Sequence, residues 1–190
     1  MSRRAQLLAC ALRVFAERGI HAAHHAEVAA AAGVSVSAVF FYFPTRPALV
    51  DAVLAEVDVL YRALVEDALA GAAPAPDALL ALGTAFADSI DRHPDHARIW
   101  LDWSTAFGDD TWPRYRAFQD HVVRRIVATI ARGQHHGTVA LDLDPEGEAL
   151  LMLGAAYIIA QMTITRRARA DIERFLRTLV RSTIRRLGRG

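Results

Sequence analysis

The chain has 190 residues, a 53% hydrophobic fraction and a formal net charge of +1, enough for one ample core or for a small head fused to a larger body. A near-neutral balance gives no overall argument for a nucleic-acid partner. No apolar run approaches the roughly 20 residues that cross a bilayer, and a single cysteine, Cys10, excludes an internal disulfide.

The distribution of charge says more than its sum. All the cationic side chains are arginine, and the first fifty residues carry Arg3, Arg4, Arg13, Arg18 and Arg46 against only Glu17 and Glu27. A locally basic head on a near-neutral body suits a nucleic-acid-binding domain attached to something else.

Residues 3–18 read as a first helix, because Leu8, Ala11, Leu12 and Phe15 fall at helical spacing on one apolar face. Charges at both ends of this segment mark it as a helix and not a signal peptide, so the cytoplasm is the expected address. Cys10 lies among Leu7, Leu8, Ala11 and Leu12 and reads as a small, buried or half-buried apolar residue.

Gly19 ends the first helix, and Ala26 to Ala32 forms a second, short one with Val28, Ala29 and Ala32 on one face. Gly33 stops it, since glycine takes the left-handed conformation that closes a helix. Val34 plugs the turn and Ser35 is a good N-cap for a third helix, Val36 to Phe43, which Pro44 holds to about two turns. Two short helices around a glycine turn make the helix-turn-helix, whose second helix enters the major groove.

Thr45 opens a fourth helix, with Pro47 in its first turn and a stripe of Leu49, Val53, Val57, Leu60 and Leu64 running to about Ala70. Such a helix would act as a lever between head and body. GAAPAP at 71–76 is a loop. A helix from Asp77 to Arg92 follows, then one capped by Asp95 that runs through Trp100 and Trp103 to Phe107. Gly108 to Asp110 is a turn, and Pro113 starts a long helix to about Gln134. Residues 135–147 form a loop, with a short strand conceivable near Val139 to Leu143 and with Asp144-Pro145 as N-cap and first helical position. The last helices span roughly 145–165 and 169–187. The expected fold is all-α: a three-helix head at 1–46 and a body of five or six helices at 47–190.

The segment FFYFPTRPALV, with Tyr42-Phe43, the break at Pro44, the cap Thr45 and the basic Arg46, resembles the TetR family of transcriptional regulators. The similarity extends to its quorum-sensing master-regulator branch of the HapR, SmcR and LuxR type. It rests on His25 to Ala29, Val34 to Val36 and Pro44 to Arg46, and on Trp103-Ser104, Asp110 and Trp112-Pro113 far outside the head.

The resemblance implies a sequence-specific DNA-binding regulator, a repressor by family habit, working as a homodimer on a palindromic operator and modulated by a small apolar ligand. It implies base-facing positions at Val36, Ser37, Ala38 and Phe41, with Tyr42 at the rim. Phosphate contacts fall on His25, Ser35, Tyr42, Thr45 and Arg46, and Arg3 and Arg4 stand near the minor groove. Val36, Ala38 and Phe41 cannot make the bidentate hydrogen bonds that name a base, so thymine methyl groups and DNA shape are the expected signals.

The last two helices are the implied dimer interface, through Leu151, Ala155, Ile158 and Met162 on one and Phe175, Leu176, Leu179 and Val180 on the other. Phe86, Ile90, Trp100, Trp103, Phe107, Phe118, Val122 and Met152 are the candidate ligand-pocket lining, although aromatic residues at helical spacing also suit a solid core. No cofactor is implied. His21, His24 and His25, like the pairs His93/His96 and His135/His136, lack the cysteine or carboxylate spacing of a zinc site. No phosphate loop or nucleophile elbow argues for an enzyme. A helical adaptor whose head no longer reads DNA remains the rival, made plausible by the apolar third helix.

Overall fold

The computed structural model describes residues 2–183, and these contain helices and turns with no strand. In chain order the helices are α1 (Arg3–Arg18), α2 (His25–Ala32), α3 (Val36–Tyr42), α4 (Arg46–Leu69), α5 (Ala75–Arg92), α6 (Pro94–Ser104), α7 (Trp112–His135), α8 (Pro145–Ile164) and α9 (Arg169–Thr183). The expected end of the last helix at 184–187 lies outside the described residues.

Most boundaries follow local chemistry. The Ser2 hydroxyl caps α1 by accepting from the Ala5 N–H at 3.2 Å, and Gly19 closes it with φ 87°. Gly33 closes α2 at φ 63°, a conformation that costs a side-chain-bearing residue about 1 kcal/mol or more. The Asp144 carboxylate accepts from the N–H groups of Glu146 and Gly147 and starts α8, with Pro145 in the first turn. Three expectations are corrected. Pro76 belongs to α5 and not to the preceding loop, because proline fits a first helical turn whose N–H would have no partner anyway. For the same reason α6 begins at Pro94 with His93, not Asp95, at the cap position. The conceivable strand at 139–143 is a turn region in which Gln134 Nε2 donates to the carbonyls of Ala140 and Leu143, at 3.0 and 2.8 Å.

The described chain forms two compact units, one up to Leu60 together with His93–Tyr115, the other Tyr61–Arg92 together with the chain from Arg116 onward. In the first unit α1 is the floor: Leu7, Leu8, Ala11, Val14 and Phe15 are buried, while Leu12 is only half-buried. It packs on α2 and on α6, and α2 packs on α3. Val28, Val39, Phe43, Leu49, Val53, Ile99 and Trp103 are each at most 1% exposed. Each such side chain contributes about 1.5–3 kcal/mol by leaving water.

In the second unit α5 packs against both α8 and α9. Ala87, Ile159, Ile172 and Leu176 form a buried cluster flanked by Leu80, Phe86, Met162 and Phe175. α5 and α9 come close at Gly83, where a Cβ would run into Leu176. By length and composition alone α8 is apolar enough to cross a bilayer, with Leu153, Ile159 and Ala160 buried and Leu150, Leu151, Ile158 and Ile164 exposed. It is a core helix with an uncovered apolar face.

Candidate nucleic-acid interface

The candidate reading surface is built on α3. Val39 and Phe43, four residues apart, are buried and tie the helix to the head. The Ser35 hydroxyl accepts from the Ala38 N–H at 3.3 Å and lies 3.0 Å from the Ser37 hydroxyl. What remains outward is Val36, Ser37, Phe40 and Phe41, the last 78% exposed and touching Tyr42 edge-on at 5.0 Å. Ala38 and Tyr42 are half-buried at the margin. Thr45 is exposed, and its hydroxyl caps α4 through the Ala48 N–H at 3.2 Å. Arg3 is exposed beside Gln6, and the Arg4 guanidinium lies over the Phe43 ring at 5.2 Å.

Two expected phosphate contacts are corrected. The His25 side chain is 5% exposed; its Nε2 donates to the Phe43 carbonyl at 2.8 Å, and its ring stacks on Phe40. The Arg46 guanidinium donates to the carbonyls of Ile20 and His21 at 2.6 and 2.7 Å. His25 Nε2 and one terminal nitrogen of Arg46 are thus held by backbone acceptors inside the head. The Ile20 N–H is held in turn by the Asp102 carboxylate of α6 at 2.7 Å, so the α1–α2 loop is pinned from two elements. Phe40 is the outward residue that sequence reasoning missed. The signal was present: with Val39 and Phe43 both inward, the residue one step past Val39 turns about 100° away from the core.

The sequence profile of the bacterial regulatory proteins of the tetR family matches residues 7–53, which span α1 to the first turns of α4. The HTH-type transcriptional regulator LuxR of Vibrio harveyi is 33% identical over 163 residues, covering 84% of this chain and 78% of that one. The chain belongs to the TetR family. A solved TetR-family regulator from a Rhodococcus species matches with TM-score 0.82 at 19% identity, over 95% of this chain and 98% of that one. FadR of Bacillus subtilis, solved with stearoyl-CoA, matches with TM-score 0.77 at 14% identity, over 97% and 99% of the two chains.

This TetR-family chain is a DNA-binding transcriptional regulator and not an enzyme. Its candidate pocket residues are divided between the units. Trp100, Trp103 and Phe107 lie in the first, and Phe86, Ile90, Phe118, Val122 and Met152 in the second. Trp103 is fully buried, donates its indole N–H to the Thr111 carbonyl at 3.1 Å and meets Tyr115 edge-on at 5.4 Å, which is a core placement. Phe107 is corrected from pocket lining to surface: it is 73% exposed on the turn before α7, against Trp112. In the second unit Ile90, Phe118 and Val122 are buried, while Phe86 and Met152 are half-buried. Tyr61, a polar neighbour that the sequence did not flag, packs on Phe86 at 5.5 Å. Burial pushes its phenol well above its ordinary range, partly opposed by the neighbouring Ser89 side chain.

The expected dimer residues also divide. Leu151 and Ile158 are exposed, Met162, Phe175 and Leu179 are half-buried, and Ala155, Leu176 and Val180 are corrected to intrachain core. Leu176 belongs to the cluster that holds α5, α8 and α9 together. Among the described residues no group of three or more His, Cys, Asp or Glu converges on a point. The His24 backbone N–H donates to Glu27 Oε2 at 3.0 Å at the start of α2.

Proposed function

We propose that this regulator is a homodimeric repressor that sets α3 of each protomer into successive major grooves of a two-fold symmetric operator in the cytoplasm. The observation that carries this reading is the uncovered, almost wholly apolar outer face of α3 above its buried anchors Val39 and Phe43. Val36 and Phe41 bring no donor or acceptor to a base edge, so they pack on thymine methyl groups, and Ser37 supplies a single polar contact. Ser35, Tyr42 and Thr45 stand at the phosphates, where contacts set register without reading sequence. Arg3 and Arg4 lie at the start of α1, within the same head, for the neighbouring backbone or minor groove.

The partner protomer covers the bare face of α8. Leu150, Leu151, Ile158 and Ile164 are exposed there, and a Cβ on Gly154 would meet nothing within 4 Å, so an opposing helix can come close. A small apolar effector, lodged among Phe86, Ile90, Phe118, Val122 and Met152 with the Tyr61–Ser89 pair as its polar neighbour, modulates DNA binding. The acyl-CoA held by the B. subtilis FadR structure supports an apolar effector class for this architecture.

Selection of bound sequences from random duplexes tests the proposal. Two half-sites related by symmetry are expected, with centres about 10 base pairs or a multiple apart and two chains on each duplex. A monomer on the selected duplex, or equal affinity for arbitrary sequences, overturns it.

A further inference from the structure

We infer that Phe40 is a specificity-determining residue of the reading helix and that His25, from α2, is the residue that positions it. This rests on the proposal that α3 reads the major groove, and goes beyond it by assigning a second aromatic reader and its support.

Phe40 is 45% exposed on the outer side of α3, one residue from the far more exposed Phe41. The two differ in how they are held. Phe41 has an edge contact with Tyr42 on its own helix. Phe40 lies flat on the buried His25 ring, with centroids 4.0 Å apart and planes within 5°. The same imidazole reaches the Phe43 carbonyl with Nε2 at 2.8 Å. A carbonyl only accepts, so Nε2 carries the proton and the ring cannot turn over without losing that bond. One side chain of α2 thus grips the end of α3 and fixes the orientation of a ring on its outer face.

A phenylalanine covered on one face and open on the other has lost its rotamer freedom before DNA arrives, so its contact with a thymine methyl or an apolar base edge is made without a further ordering cost. Phe40 also sits four residues after Val36. The two therefore form one ridge along the helix, beside the Ser37–Phe41 ridge, and widen the apolar footprint from one base step to two.

The test compares wild type, Phe40→Leu, Phe40→Ala, His25→Gln and the Phe40→Ala/His25→Gln double variant on the selected operator and on an arbitrary duplex, with circular dichroism as the fold check. Glutamine can still donate to the Phe43 carbonyl but cannot stack. Phe40→Ala is expected to weaken operator binding about tenfold, the size of one lost base contact, while arbitrary-duplex affinity and salt slope stay unchanged. His25→Gln is expected to lose several-fold on the operator alone, and to add nothing in the Phe40→Ala background, which a merely structural role for His25 would not produce. Phe40→Leu, at an exposed position, folds and serves if the alanine variant does not. Full operator preference in both Phe40 variants, or equal losses on both duplexes, overturns the inference and leaves groove reading by α3 intact. A wild-type protein without any operator preference overturns both.

Discussion

The Arg46 guanidinium sits between the carbonyls of Ile20 and His21 in the α1–α2 loop, and Asp102 takes the Ile20 N–H from the other side. Charge-assisted bonds of this kind are worth about 1.5–3 kcal/mol each, and their removal strands the acceptors. Arg46→Ala is therefore expected to lower stability by about 2–3 kcal/mol, read as a fall in the urea midpoint at unchanged m-value. A phosphate-only role would leave the midpoint alone. His96 supplies a pH prediction. Burial first, and then the His93 ring 5.5 Å away, hold its pKa below the ordinary 6.5, with Glu56 and Asp95 opposing. The unfolded chain therefore takes up the proton first, so stability present above pH 6.5 declines as the pH falls below it. Urea midpoints at pH 7.5 and 5.5 should separate more for wild type than for His96→Gln. At this scale the sequence was least legible. His25 and Arg46 occupy positions matched to phosphate contacts, yet which acceptor a flexible polar side chain finds depends on backbone that only the folded head brings near.

Helices were far easier to read, because the signals that start and stop them are local. Glycines at 19 and 33, prolines at 94 and 145 and the caps Ser35, Thr45 and Asp144 lie within a few residues of the ends they set. The face that each helix buries is less local. On α8 the apolar residues go nearly all the way round, so periodicity does not say which of them meet α5 and α9. Packing decides that Ala155 and Ile159 go inward while Leu151, at 58% exposure, and Ile158 stay out. This uncovered face yields the next prediction. Leu151→Glu/Ile158→Glu should convert a dimer into a monomer in sedimentation analysis, at little cost to the thermal midpoint of the isolated chain. Val180→Glu, inside the second unit, should instead unfold it. A Leu151→Glu/Ile158→Glu protein that remains dimeric would place the interface elsewhere.

For the whole molecule the informative quantity is how recognition divides between backbone charge and base contacts. The proposed reading by an apolar α3 assigns affinity to phosphate neutralisation and selectivity to methyl groups. Replacing thymine by uracil within the selected half-sites should lower affinity several-fold at one or two positions without altering the salt slope; the same titration with no loss at any position would remove methyl packing as the basis of selection. Sequence by itself determined the helical class, the two small helices around Gly33, and the family to which they belong. The first two follow from spacing and turn chemistry along the chain, and the family from a motif resemblance that also draws on Trp103-Ser104, Asp110 and Trp112-Pro113. Only the tertiary structure decided that residues 93–115 join the head, that α6 pins the α1–α2 loop through Asp102, and that Phe40 rests on His25. Those contacts link residues 15 to 82 positions apart, and the propensities of either partner carry no record of which distant surface will close over it.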